Sequence, residues 1–273
     1  MTHPRDIRLL LSDVDGTLVT NDKRLTPAAI AAARDLKAAG VGLALTSSRP
    51  ARGMRMLVEP LGLTTPLFGF NGGLICAPDF QVLERHPIAP DMGPAVIDFL
   101  QDQGLDVWVY TQDAWCVRDP QGPHVAREAF ILRFEAEVVA AFGPDLATNA
   151  FKIVGVSDDP ARMAAAEAKA ADALGDRVSA TRSAAYFLDV THPLANKGQA
   201  VHALAHRLSL TVDEIATIGD MPNDVLMFRQ AGYAIAMGNA ADAVKAQADT
   251  VTASNQEDGF AKAVANLLAA AAG

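Results

Sequence analysis

The chain has 273 residues, half of them hydrophobic and 20% charged, a balance that excludes intrinsic disorder of the whole chain and supplies the core of one large domain or two. Its 32 acidic residues against 23 lysines and arginines leave a net charge of −9, so no basic excess exists to neutralise the phosphates of a nucleic acid. A small anion would have to be drawn in by a local group of cations or by a metal, against the field of the whole molecule.

The first predicted strand, residues 7–12, contains Arg8 and runs directly into the acidic DVDGT turn, which is not the character of a secretory signal. Thr26-Pro27 opens a helix as N-cap and first-turn proline, and Gly40 closes it. Residues 41–46 read as a second strand broken by SSRP, 52–59 as a helix, 67–70 as a third strand, and Asn71-Gly72-Gly73 as a turn. This βαβαβ order predicts a parallel sheet covered by helices. From about residue 86 the rhythm changes. Residues 105–111 and 114–118 form a hairpin pattern, followed by strand, helix, strand and strand at 151–156, 162–174, 178–181 and 186–190. Both tryptophans and two of the three tyrosines fall here. After Asn196 the first rhythm resumes, with a helix over 197–207, a strand over 214–218 ending in GDMPND, a strand over 233–237 and a last helix from near Glu257. The fold class is therefore α/β, with residues 1–85 and 191–273 forming one domain and 86–190 an inserted α/β domain. No stretch approaches the roughly 20 apolar residues of a membrane helix. Cys76 and Cys116 belong to no CxxC pair, and both are expected to be reduced thiols of a cytoplasmic protein without membrane attachment.

Asp13 and Asp15 stand at the carboxyl end of the first strand, where ligands bind in an open parallel sheet. Two carboxylates spaced by two can face one site only where the strand breaks, and Gly16 permits that break. Asp220 and Asp224 follow a second strand in the same way. Four carboxylates at two strand ends suit a hard cation such as Mg²⁺. Ser47 and Ser48 end the second strand, where hydroxyls and free backbone N–H groups can hold a phosphate, and Lys197 opens a helix with a cation for the same anion. His202 and His206, spaced four apart, lack the glutamate of a zincin motif and read as an exposed helix face. Trp108, Tyr110 and Trp115 read as packing of the inserted sheet, with Arg118 solvated.

Taken together these segments resemble the haloacid dehalogenase superfamily, and within it the Cof-type phosphatases. DVDGTL at 13–18, TSSRP at 46–50, FNGG at 70–73, NKG at 196–198, GDMPNDVLMF at 219–228, AMGNA at 236–240 and SNQEDG at 254–259 carry the resemblance over nearly the whole chain. It implies a Rossmannoid three-layer core with an inserted α/β cap. It also implies Asp13 as nucleophile forming an aspartyl-phosphate, Asp15 as acid and base, and Ser47, Lys197 and Asn223 around the phosphoryl group. Mg²⁺ would be held by Asp13, the Asp15 carbonyl and Asp220, with Asp224 orienting metal waters or Lys197. One departure stands out: Ser48 occupies a position that is commonly Gly in the family, which leaves open whether Ser47 or Ser48 supplies the phosphate hydroxyl.

The function implied is Mg²⁺-dependent hydrolysis of small phosphorylated metabolites, sugar phosphates among them. Phosphohexomutase-like transfer is the first alternative. A phospho-aspartate signalling module is a second, disfavoured because Asp15 supplies the acid and base that a long-lived aspartyl-phosphate would lack, and a silent binding protein a third. Composition and motifs name no oligomeric state.

Overall fold

In the computed structural model residues 6–272 are described; residues 1–5 and Gly273, the outermost parts of the first expected domain, lie outside them. The chain begins with β1 (Leu9–Asp13), α1 (Pro27–Ala38), β2 (Gly42–Thr46), α2 (Arg55–Leu61), β3 (Leu67–Gly69), β4 (Leu74–Cys76) and β5 (Val82–Arg85). It continues through α3 (Met92–Asp102), β6 (Asp106–Tyr110), β7 (Trp115–Val117), α4 (Val125–Leu132), β8 (Glu137–Val138), α5 (Pro144–Thr148), β9 (Lys152–Val156), α6 (Pro160–Leu174), β10 (Ser179–Ala184) and β11 (Phe187–Thr191). It closes with α7 (Lys197–Leu208), β12 (Ile215–Gly219), α8 (Val225–Phe228), β13 (Tyr233–Ala236), α9 (Asp242–Lys245), β14 (Thr250–Val251) and α10 (Gly259–Ala272).

Two sheets result. The first has the order β14-β13-β12-β1-β2-β3-β4-β5, and its strands are parallel from β14 to β3. β4 and β5 extend it as antiparallel strands at one edge, an addition to the expected parallel sheet. The second sheet, β10-β11-β9-β6-β7-β8, is built wholly from residues between β5 and α7 and is antiparallel except for β7 with β8. The β6–β7 hairpin forms with Trp108 opposite Val117 and Tyr110 opposite Trp115. The whole is a mixed α/β core carrying a cap.

The local causes are visible in the caps. Thr26 accepts a hydrogen bond from the Ala29 amide and Pro27 takes the first turn, so α1 starts where predicted. Its buried face, Ala29, Ala32, Ala33 and Leu36, packs in the cluster that includes Leu10, Leu45 and Val264. The Asn196 side chain accepts from the Gln199 amide and thereby fixes Lys197 at the first position of α7. The helix expected over 52–59 is instead a tight turn over Ala51–Met54 followed by α2, with Pro60 tolerated in the last turn. The expected turn at 71–73 is a short helical turn in which Phe70 and Asn71 have φ of 52° and 58°. That left-handed conformation is costly for a bulky residue, and the loop is pinned by Phe70 N–H to the Arg49 carbonyl and Asn71 N–H to the Ser47 carbonyl.

Cap and core meet through an apolar layer. Phe70 of the core stacks on Phe151 at 5.6 Å and meets Tyr110 edge-on at 6.1 Å. Ala51, Leu74 and Cys76 join the same cluster as Trp108, Trp115 and Val125. As expected, Trp108, Tyr110 and Trp115 are buried packing residues and Arg118 is exposed. Both cysteines are buried and free, and no described helix is long and apolar enough to cross a membrane.

Candidate active site

β1 and β12 are adjacent parallel strands, and their carboxyl ends place Asp13 and Asp220 side by side. Carboxylate oxygens of Asp13, Asp220 and Asp224 lie within 4.8 Å of one another, and all three residues are buried. Lys197 reaches into the group from the first turn of α7, its Nζ donating to Asp13 Oδ1 and to Asp224 Oδ1, each at 2.5 Å. Residues separated by up to 211 positions thus share one buried cluster.

Each acid has a different environment. Asp224 uses both oxygens within the protein, since its Oδ2 accepts the amides of Asp220 and Met221 at 2.9 and 2.8 Å. It shapes the loop and holds Lys197. Asp220 accepts from Thr17 Oγ1 at 3.1 Å and from Asn239 Nδ2 at 3.1 Å, which fixes its rotamer. Gly16 has φ of +82°, and a Cβ there would lie 2.3 Å from Asp220 Oδ2, so only glycine lets the turn pass this close. Asp13 has one oxygen on Lys197, and its Oδ2 accepts no hydrogen bond among the described residues.

Electrostatics follow from this crowding. Burial, with Asp224 and Asp220 close by, pushes the Asp13 carboxyl well above the usual carboxylate range. Burial and then Asp224 raise Asp220 to about 6. Burial disfavours the Lys197 ammonium, yet Asp13 and Asp224 outweigh it and hold the charge on. Three carboxylates against one ammonium leave an excess of negative charge in a buried site. An oxygen-only donor set in which burial and crowding raise two of the carboxyls fits a hard divalent ion.

Asp15 stands apart. Its Oδ2 accepts from Arg49 Nε at 2.6 Å, its Oδ1 from Arg49 Nη2 at 2.7 Å and from Lys23 Nζ at 2.6 Å. Burial works against ionisation, but the Arg49 hydrogen bonds and charge, with Lys23, hold the carboxyl below the ordinary carboxylate range. The Asp15 carboxylate is thus committed to cations, and only its carbonyl remains for a metal.

The expected free amide at Ser47 is not found: its N–H donates to the Phe68 carbonyl at 2.9 Å because the chain is still in register with β3. The Ser47 hydroxyl is buried and accepts from the Arg49 amide at 3.2 Å, keeping its own proton to donate. Ser48 is half-buried, and its carbonyl accepts from Lys152 Nζ of the cap at 3.1 Å. Asn223 lies beside the cluster, its Nδ2 against Asn71 Oδ1 at 3.5 Å and its Oδ1 buried without a hydrogen-bond partner among the described residues. His202 pairs with Gln230, apart from the acids.

Sequence reasoning passed over Arg49, Lys23, Thr17, Asn239 and the cap pair Lys152–Asp189. Arg49 and Asn239 lie inside the motifs quoted above, so their positions were signalled although their partners were not. Lys152 and Asp189 lie on different strands and had no local signal.

The sequence profile of the haloacid dehalogenase-like hydrolases matches residues 10–264. The chain is 28% identical over 259 residues to the 5-amino-6-(5-phospho-D-ribitylamino)uracil phosphatase YcsE of Bacillus subtilis, covering 95% of each chain. It is 29% identical over 234 residues to the HMP-PP phosphatase of Cronobacter sakazakii, covering 85% of each. The crystal structure of a haloacid dehalogenase-like hydrolase from Bacteroides thetaiotaomicron superposes with a TM-score of 0.86 at 26% identity, over 96% of this chain and 99% of that one. With its buried acidic cluster, lysine and cap in the arrangement described, the chain belongs to the haloacid dehalogenase-like hydrolases, as an enzyme of the phosphatase type.

Proposed function

We propose that the protein hydrolyses phosphate monoesters of small metabolites, sugar phosphates among them, through an aspartyl-phosphate on Asp13. The single observation that carries this reading is the Lys197 ammonium 2.5 Å from both Asp13 and Asp224, with Asp220 in the same buried group. An ammonium held there offers an anion its positive charge beside a carboxylate that has one oxygen unengaged.

Asp13 would attack phosphorus, forming a carboxylate–phosphorus bond as the ester oxygen departs. Lys197 and the Ser47 hydroxyl would bind the non-bridging oxygens, with Ser48 and Asn223 alongside. Asp15 would give a proton to the leaving oxygen, then take one from the water that cleaves the acyl phosphate. As placed, Asp15 is in its proton-accepting form. It holds no proton to give in this form, and would serve as the acid only after leaving Arg49 and Lys23 and taking up a proton from water. Mg²⁺ would be held by Asp13, the Asp15 carbonyl and Asp220, with Asp224 fixing Lys197 and the loop. When bound, it lowers the repulsion between Asp13 and the phosphate and stabilises charge at the transition state.

Residues 86–190 would act as the cap that shields the phosphoryl group from bulk water. Small metabolites of this kind, and the two reduced thiols, fit a cytoplasmic enzyme. Asp13→Asn is expected to lower kcat on an aryl phosphate by on the order of 10³-fold or more, with the folded circular dichroism spectrum retained. Turnover near that of the parent would remove Asp13 from the role of nucleophile.

A further inference from the structure

A second cleft between core and cap, of about 600 Å³, is lined by Arg52, Arg55 and Met56 on the core side and by Leu132, Arg133 and Phe134 on the cap side. All three arginines are exposed. None forms an ion pair among the described residues, although Glu59 follows Arg55 by four positions and Glu135 follows Arg133 by two.

The faces of these guanidiniums are occupied while their edges are free. Arg52 lies 4.6 Å from the centre of the Phe134 ring, a contact from core to cap, Arg55 4.2 Å from that of Phe80, and Arg133 4.4 Å from that of Phe130. A ring that attracts a guanidinium through its face leaves the in-plane N–H groups for other acceptors. Of those donors Arg52 uses Nη1 on the Asp113 carbonyl at 3.3 Å, and the Arg55 and Arg133 side chains have no acceptor among the described residues. Arg133 also has φ of 62° directly after α4, a left-handed position that glycine commonly fills and that is costly for a long side chain.

Charge and size define the ligand. Three guanidiniums line one cleft in a chain of net charge −9, so the local field there runs against that of the molecule. A guanidinium edge matches the paired oxygens of a phosphate. The volume is that of a whole small-molecule site, more than a lone phosphate fills. We infer that this cleft binds an oligophosphate, with Arg52 and Arg55 of the core and Arg133 of the cap donating to its oxygens. The bound anion ties cap to core. Its site shares no lining residue with the acidic cluster and holds whether or not Asp13 is the nucleophile.

Calorimetric titration of the full chain tests this in metal-free buffer, where the acidic cluster keeps its excess of negative charge. Tripolyphosphate is expected to saturate one site, and orthophosphate to bind at least 10-fold more weakly. ATP separates the two sources of such a chain: affinity equal to that of tripolyphosphate assigns the site to the phosphates alone, and tighter binding assigns it to a nucleotide. Arg52→Gln and Arg133→Gln, one on each wall, are each expected to weaken tripolyphosphate about 10- to 100-fold, the range of a hydrogen bond between charged groups. Arg127→Gln, an equal change of charge at the other end of α4, is expected to leave the affinity unchanged. Folding of each variant is read from circular dichroism and from hydrolysis of an aryl phosphate in Mg²⁺, and Arg55→Gln replaces Arg52→Gln if the latter has lost its folded spectrum. Absence of saturation, orthophosphate binding as tightly as tripolyphosphate, or an affinity undiminished by substitution on both walls overturns the site. An equal loss with Arg127→Gln overturns it too, because net charge alone would then set the affinity.

Discussion

The core site and the cap bury charge in opposite ways. In the core, Asp13, Asp220, Asp224 and Lys197 crowd together with an excess of negative charge, held in place by backbone amides, Thr17 and Asn239. In the cap, Lys152 and Asp189 cancel one another inside a wall of Trp108, Tyr110 and Trp115. Two carboxylates of the core are pushed toward protonation, the signature of a place prepared for a cation and an anion together. The cap pair is neutral as a unit. The difference teaches that one chain can bury charge in excess on one sheet and in balance on the other.

Three measurements break or sharpen that contrast. Lys197→Met leaves three buried carboxylates with no counter-charge, and removal of one member of a buried ion cluster costs about 3–5 kcal/mol. Chemical denaturation in metal-free buffer is expected to show a loss of that size, with Mg²⁺ restoring part of it; an unchanged midpoint would mean that the acids are not coupled to Lys197. A smaller effect should come from Mg²⁺ added to the unsubstituted protein, worth about 2.7 kcal/mol at a hundredfold excess over the dissociation constant. Its sign with pH follows from the raised carboxyls. Asp220 keeps its proton up to about 6 and Asp13 lies well above its ordinary value, so a cation competes with protons below that window and meets ionised ligands above it. The rise in Tm on adding Mg²⁺ should therefore be larger near pH 7.5 than near pH 5, and a pH-independent rise would place the ion elsewhere. The smallest effect belongs to the cap. Tyr110→Phe deletes the hydroxyl that donates to Glu128 at 3.0 Å and is expected to cost about 1–3 kcal/mol while aryl phosphate hydrolysis is retained. Loss of hydrolysis with stability intact would show that the cap interior takes part in the chemistry.

The same contrast explains what was legible beforehand. The core acids occupy short contiguous motifs at the ends of strands, so DVDGT and GDMPND could be placed before any coordinates existed. The cap offers no such contiguity, for Lys152 and Asp189 meet only because β9 and β11 pair in one register. Three of its helices, α3, α4 and α5, were equally hidden, whereas α6 answers the helix expected over 162–174. α3 carries Gly93 and Pro94 in its first turn, residues that read as breakers, yet a Cβ at 93 would lie 1.9 Å from the Ala147 carbonyl oxygen and close packing requires glycine. α4 is flanked by His124 and Arg133, both with positive φ, where sequence rules look for Ser, Asp or Gly. β4 and β5 are three and four residues long, too short for an alternation to register.

Arg49 grips Asp15 with two of its nitrogens, while Nη1 also donates to the Ile131 carbonyl of α4 at 3.1 Å. The same Nη1 also donates to the Gly53 carbonyl at 3.2 Å, so one guanidinium joins α4 to the core while it holds the acid. The carboxylate at position 15 is therefore held by a side chain that also touches the inserted domain, and a shift of α4 would reach it through a single guanidinium.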